Sequence, residues 1–178
     1  GVVDGGIVYV ILGRPDFEVG IGGSTLPGSE FNVVPFGITL DLSLADPARL
    51  EIHGQNNGDR FGEIQTMVGD INGDSAPEIA IASPWFDAGG VDAGFVAIIF
   101  GAQSHTGIFR IDQITTPQLP GVRFYGVQAG GHAGMVINNA GDFNGDSKDD
   151  LLICAPNEQR VHEGTTRIGV AYLVLNGS

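Results

Sequence analysis

Two nine-residue stretches hold the side chains of this sequence best suited to chemistry. The first places Asp70, Asn72, Asp74, Ala76 and Glu78 at alternate positions; the second places Asp142, Asn144, Asp146, Lys148 and Asp150 in the same order. A hard cation such as calcium takes roughly six to eight oxygen ligands at about 2.3–2.6 Å. Side chains at alternate positions of a tightly turned loop converge on one point and can supply them. Gly73 and Gly145 sit where such a turn needs an unusual backbone angle. Position 7 discriminates: Ala76 and Lys148 are both acceptable there only if the backbone carbonyl ligates. The pattern therefore predicts two calcium sites with ligands at positions 1, 3, 5, 7 and 9. Magnesium prefers a smaller octahedral shell with several waters. Zinc prefers His or Cys, and neither loop has one. An EF-hand is excluded, because position 6 is Ser75 or Ser147 and position 12 is Ile81 or Ile153, inside an apolar run.

One copy alone reads equally well as a surface turn, since Asn-Gly and Gly-Asp are common turn pairs. Two copies in register favour the cation. Residues 69–75 and 141–147 agree at six of seven positions, at an offset of 72 residues. The same offset carries Ala82-Ser83-Pro84 onto Cys154-Ala155-Pro156, Gly54 onto Gly126 and Gly62 onto Gly134. Such a period marks a repeat architecture. Three apolar runs flanked by turn residues recur with looser spacing: Gly6–Gly13, Gly94–Gly101 and Gly169–Asn176. Their β-branched and aromatic content predicts strands.

One unit then reads as a strand over about Phe61–Val68, the acidic loop, a strand at Ile79–Ala82, and a strand at Phe95–Phe100. A fourth strand is expected near Gly107–Ile111 or Val122–Tyr125. Four strands per unit is the make-up of a propeller blade. By this division residues 1–53 hold the later strands of a first blade, 54–125 a complete blade, and 126–178 the first three strands of another. Blades bury their faces against neighbours, so an incomplete set leaves open edges that invite self-association.

The rest of the composition narrows the function classes. The chain has 178 residues, 42% of them hydrophobic, which is enough for a real core. Its 29 glycines are scattered without a collagen period and suit an all-β chain with many turns. Formal net charge is −13, which disfavours nucleic acid and anionic membranes as partners. Cys154 is the single cysteine, so no intramolecular disulfide forms, and its apolar run makes it a small buried hydrophobe. No stretch approaches the length of a membrane-spanning helix, and Gly1 opens directly onto a β-like pattern, as in a mature protein or a cut-out piece of one. No Ser-His-Asp order, nucleophile elbow or phosphate loop is present, so the chain is not expected to be an enzyme.

These motifs resemble the FG-GAP repeat of integrin α-type propellers. The first full copy reads Phe61-Gly62, Asp70 to Glu78, Ala82-Ser83-Pro84 and Gly94 to Gly101. The second reads Ala133-Gly134, Asp142 to Asp150, Cys154-Ala155-Pro156 and Gly169 to Asn176. Two departures stand out: Ala133 replaces the Phe anchor, and Glu78 replaces the final Asp. The resemblance implies an all-β, incomplete propeller of four-stranded antiparallel blades, with calcium loops joining the first and second strands on one face. It implies an extracellular or cell-surface adhesion or recognition module whose protein or glycan ligand meets the opposite face. That face would carry the loops 84–93 and 156–168, with Trp85, Phe86 and Arg160 as candidate contacts; a carbohydrate-binding or accessory domain of a larger surface enzyme is the competing reading, as is a self-assembling structural protein.

Overall fold

A computed structural model describes residues 6–11, 32–34, 37–39, 49–101 and 105–175. Gly13 and Asn176, expected to flank the first and last repeated strands, lie outside them. Twelve strands occur among the described residues, with a single 3-10 turn at Ile111–Gln113. The complete sheet has the order β5-β6-β7-β9, from β5 (Ile64–Gly69), β6 (Glu78–Ser83), β7 (Phe95–Ile99) and β9 (Gly121–Tyr125), all antiparallel. The next sheet is β10-β11-β12, from β10 (Val136–Gly141), β11 (Asp150–His162) and β12 (Thr165–Val174). An earlier one is β1-β4-β8, from β1 (Ile7–Ile11), β4 (Arg49–His53) and β8 (Gly107–Arg110). β2 (Asn32–Val34) and β3 (Gly37–Thr39) form a separate hairpin.

Of the two candidates for a fourth strand, Val122–Tyr125 takes that place as part of β9. Gly107–Arg110 instead crosses back and pairs parallel with β4, adding an outer strand to the preceding sheet. A second difference concerns residues 156–168, read as a loop. They are the two arms of a long β-hairpin, β11 and β12, that turns at Glu163-Gly164; Asn157 and Gln159 bond His132 and Gln128 at its base, and residues 159–169 beyond are exposed.

Side chains of a strand alternate between faces, and β7 shows why all five of its residues are buried. Phe95, Ala97 and Ile99 join Leu50, Ile52, Phe61 and Ile81 in one apolar layer. Val96 and Ile98 join Val68, Ala80, Ala82, Ile137, Leu151 and Ile153 in a second layer. The central sheet is thus sandwiched, and each layer is shared between consecutive blades.

The blades meet at glycines. Gly94, at φ +97°, bridges Ala133 of the next blade, and a Cβ there would sit 2.2 Å from the Ala133 carbonyl oxygen. Gly6 meets Phe61 the same way one blade earlier, at 2.0 Å. By contrast, Gly145 in the second acidic loop has φ +80° and open space around a would-be Cβ. Gly145→Ala therefore carries backbone strain only, and about 1 kcal/mol of stability should be lost. Gly94→Ala adds a clash with backbone that has nowhere to go, and more than about 3 kcal/mol should be lost. Urea unfolding of the two variants measures the difference directly.

Candidate metal centre

The first acidic loop joins β5 to β6. It is built by carboxylates that stand in for helix or sheet partners of the backbone. Asp70 Oδ1 accepts the N–H groups of Gly73 (2.7 Å) and Asp74 (3.0 Å), and its Oδ2 accepts that of Ser75 (2.8 Å). Asn72 Oδ1 accepts from Asp74 N–H, and Asp74 Oδ1 from Ala76 N–H, each at 2.8 Å. Gly73 takes φ +79° as its turn requires; Ser75 takes φ +72°, which the sequence did not announce. The amide bond from Ser75 to Asp70 offsets that strain.

The second loop, between β10 and β11, repeats this bond for bond. Asp142 cradles the N–H groups of Gly145, Asp146 and Ser147, and Asn144 and Asp146 accept from Asp146 and Lys148. Gly145 and Ser147 again have positive φ, +80° and +71°.

The two loops differ at position 9. Glu78 is fully buried, with Oε2 accepting the Ile71 N–H. Its Oε1 is sealed from solvent and has no hydrogen-bond partner. Asp70, Asp74 and Glu78 each offer a carboxylate oxygen within 4.8 Å of the others. Burial pushes the Glu78 carboxyl above its usual range, against the pull of the Ile71, Gly101 and Asn72 amides. An orphaned buried carboxylate oxygen costs free energy unless a cation completes it. The donor set is all oxygen, which fits a hard cation and not zinc. In the second loop Asp142, Asp146 and Asp150 are not gathered within that spacing. Asp150 is a methylene shorter, and its Oδ2 is turned onto the N–H groups of Phe143 (2.9 Å) and Asn144 (3.2 Å). Glu78, the departure from the usual final Asp, has the longer arm that carries an oxygen to the cluster.

Lys148 points away from its own loop. Its aliphatic chain lies over Gly73 of the first, with Cε 3.0 Å from where a Cβ would be. Beside it, Asp149 was overlooked by the sequence reading. Its Oδ2 accepts the Asp70 N–H at 2.9 Å, while its own N–H donates to the Asp70 carbonyl at 3.0 Å. The available signal was the Asp149-Asp150 doublet, which has one carboxylate more than the loop pattern uses; the first loop has Pro77 there.

The three expected contact residues part ways. Trp85 stands beside Pro84 at the opposite end of β6 from the acidic loop. The Arg60 guanidinium lies 4.8 Å over its ring, and His132 meets it edge-on at 5.6 Å. Arg160 is more than half exposed and bonds the Tyr172 hydroxyl and Glu158. Phe86 is 7% exposed and packs on Phe95 at 5.0 Å, because the turn after Pro84 folds its ring into the first apolar layer.

Asp149→Ala leaves the part-buried Asp70 N–H unpartnered, at a cost of about 1–3 kcal/mol in urea unfolding. Asp149→Asn keeps a carbonyl acceptor in place and should cost less than half as much.

None of the curated proteins matches the chain. The FG-GAP repeat family model matches it twice, over residues 64–99 and 139–174. The first match runs from the start of β5 through the acidic loop to the end of β7; the second begins within β10 and runs through the second acidic loop to the end of β12. With that match, the stacked antiparallel sheets are propeller blades, and the chain carries two FG-GAP repeats of an incomplete β-propeller.

Proposed function

We propose that this chain is a calcium-stabilised propeller segment that serves recognition and adhesion outside the cell and carries out no catalysis. The observation that carries the reading is the buried, unpartnered Oε1 of Glu78 beside Asp70 and Asp74. Calcium would be held there by Asp70, Asn72, Asp74 and Glu78 with the Ala76 carbonyl, and in the second loop by Asp142, Asn144, Asp146 and Asp150 with the Lys148 carbonyl. It would pin the turn between the first two strands of each blade. A cation bound only by the folded state stabilises by mass action, which suits a calcium-rich exterior. FG-GAP repeats are typically non-catalytic and occur in extracellular and cell-surface proteins. No helix among the described residues is long and apolar enough to cross a membrane.

A protein ligand is favoured over a glycan at the face opposite the loops, because Arg60 already lies over the Trp85 ring where a sugar would stack. The β11–β12 hairpin on that side adds exposed Val161 and Ile168, at 73% and 70% exposure. Truncating the hairpin to a tight turn after Asn157 should abolish ligand capture while leaving the calcium response intact.

Thermal melts test the metal. Calcium at about 100-fold over its dissociation constant contributes about 2.7 kcal/mol, or roughly 5–10 °C in a chain of this size. Melting after EDTA treatment at the same temperature as in excess calcium would sink the proposal. Glu78→Gln should lose the first loop's share of the shift, Asp142→Asn and Asp146→Asn the second's, and residual shifts that sum to the wild-type shift would mean two independent sites.

Glu78→Gln also changes the metal-free protein. Its folded-state pKa is raised, so the folded state holds the proton more tightly than the unfolded chain. Metal-free stability therefore increases as pH falls through the window above the ordinary value of 4.5, and is lowered once pH exceeds the folded pKa. Asp59, buried and raised above its ordinary value of 3.8 by desolvation, adds a slope of the same sign. Glu78→Gln should raise the melting temperature in EDTA at pH 7 and flatten, without removing, this pH dependence.

A further inference from the structure

A cavity of about 220 Å³ lies between the complete blade and the next. Its origin can be read from the blade junction before it. There Phe61, Phe86 and Phe95 fill the space, with ring centroids 6.4 Å (Phe61–Phe95) and 5.0 Å (Phe86–Phe95) apart. The 72-residue offset replaces Phe61 by Ala133 and Phe86 by Glu158. Strand register replaces Phe95 by Val170, since Ser83 faces Phe95 and Ala155 faces Val170. Two exchanges go the other way: Ile81 faces Ala97, whereas Ile153 faces Tyr172, and Val8 faces Ile52, whereas Val96 faces Phe124. Three aromatic rings are lost and two are gained, and the cavity remains among Val96, Phe124, Ala133, Ile153, Tyr172 and Glu158.

The cavity wall is mainly apolar but carries a built polar group. Glu158 is 2% exposed. Its Oε1 accepts the Tyr172 hydroxyl at 2.6 Å and pairs with Arg160 at 2.6 Å, and Arg160 also donates to the Tyr172 oxygen at 2.7 Å. Both of these bonds end on Oε1, so Oε2 accepts none from the described residues. Burial, then the bond to Glu158, raises the Tyr172 hydroxyl, so it stays a donor at neutral pH. The carboxylate is thereby fixed in place with one oxygen to spare.

We infer that this inter-blade cavity is a binding site for a single aromatic ring bearing a hydrogen-bond donor, a phenol in chemical class. The ring takes the volume that the phenylalanines occupy in the preceding junction, and its donor meets Glu158 Oε2. An apolar cavity of roughly 150 Å³ suffices for benzene, so the space is adequate for a phenol. The same chemistry is offered by a free phenol and by a tyrosyl side chain of a partner peptide. The inference stands apart from the calcium reading, since no residue of either acidic loop lines the cavity.

Titration of the intact, calcium-supplemented chain with p-cresol, followed by amide and aromatic NMR shifts, tests it. Saturable shifts at Val96, Phe124 and Tyr172 are expected. Toluene should bind about tenfold more weakly, for want of the charged hydrogen bond. Glu158→Gln should bring p-cresol down toward toluene and leave toluene unchanged. Ala133→Phe restores the ring of the preceding junction, and should raise the melting temperature and abolish both titrations. N-acetyl-tyrosinamide and a tyrosine-containing tetrapeptide distinguish the sources: saturation by the peptide as well as p-cresol means that the site takes a side chain, and by p-cresol alone a free ligand. No saturable shift up to the solubility limit of p-cresol, or undiminished binding to Ala133→Phe, would overturn the inference. If Ala133→Phe does not fold, an equal affinity of wild type and Glu158→Gln for p-cresol overturns it instead.

Discussion

Everything in this molecule follows from a sheet that cannot bury its own faces. A four-stranded antiparallel blade has two sides, and β7 shows that both are apolar, with Phe95, Ala97 and Ile99 on one and Val96 and Ile98 on the other. Only a blade stacked on each side keeps water from both. Stacking needs the backbones to approach, and glycine permits it. Gly6 against Phe61 and Gly94 against Ala133 are the same contact one blade apart, each too close for a Cβ. Gly62 and Gly134 do the converse job, leaving room for Val8 and Val96 of the preceding blade. The repeated glycines of the motif are therefore spacing elements between blades.

The acidic loops belong to the same architecture. Each closes a hairpin between the first two strands of its blade, at the end where hydrogen bonding from the sheet has run out. Their aspartates supply the missing acceptors, so Asp70 and Asp142 organise their turns before any cation is considered. Asp149 then ties the second loop to the base of the first through a reciprocal pair of hydrogen bonds with Asp70. The loops lock blade to blade as the glycines do, at a different height on the stack. The other end of the blade, where the β11–β12 hairpin extends past the sheet, is where the proposed recognition would take place.

Repetition also makes departures meaningful. Because the 72-residue offset superposes one junction on the next, Ala133 in place of Phe61 and Glu158 in place of Phe86 are changes at a known address. The first junction answers with a cluster of rings, the second with a cavity and an ion pair between buried Glu158 and exposed Arg160. Removing large side chains from an interface leaves unfilled space when backbones on both sides are held fixed. Here they are held by the glycine contacts and by Asp149.

The sequence by itself determined the repeat, its strands and the loop chemistry, because each is local. Short β-branched and aromatic runs between turn residues make β5 to β7, and oxygen donors at alternate positions around Gly73 and Gly145 make the turns, whatever surrounds them. It could not determine matters that depend on what a neighbour presents. Gly107–Arg110 has the pattern of a fourth strand, yet it adds to the edge of β4 in the preceding sheet, and pairing partners are not encoded in a four-residue stretch. Phe86 looks like a surface ring after Pro84, yet Phe95 and Tyr125 draw it inward. Residues 156–168 look like a loop because their strands pair only with each other. Above all, two loops of nearly identical sequence differ in carboxylate convergence. Only the folded backbone decided that: both position-9 carboxylates bond amides of their own loop, and the glutamate, one methylene longer, also brings an oxygen within reach of the other two carboxylates.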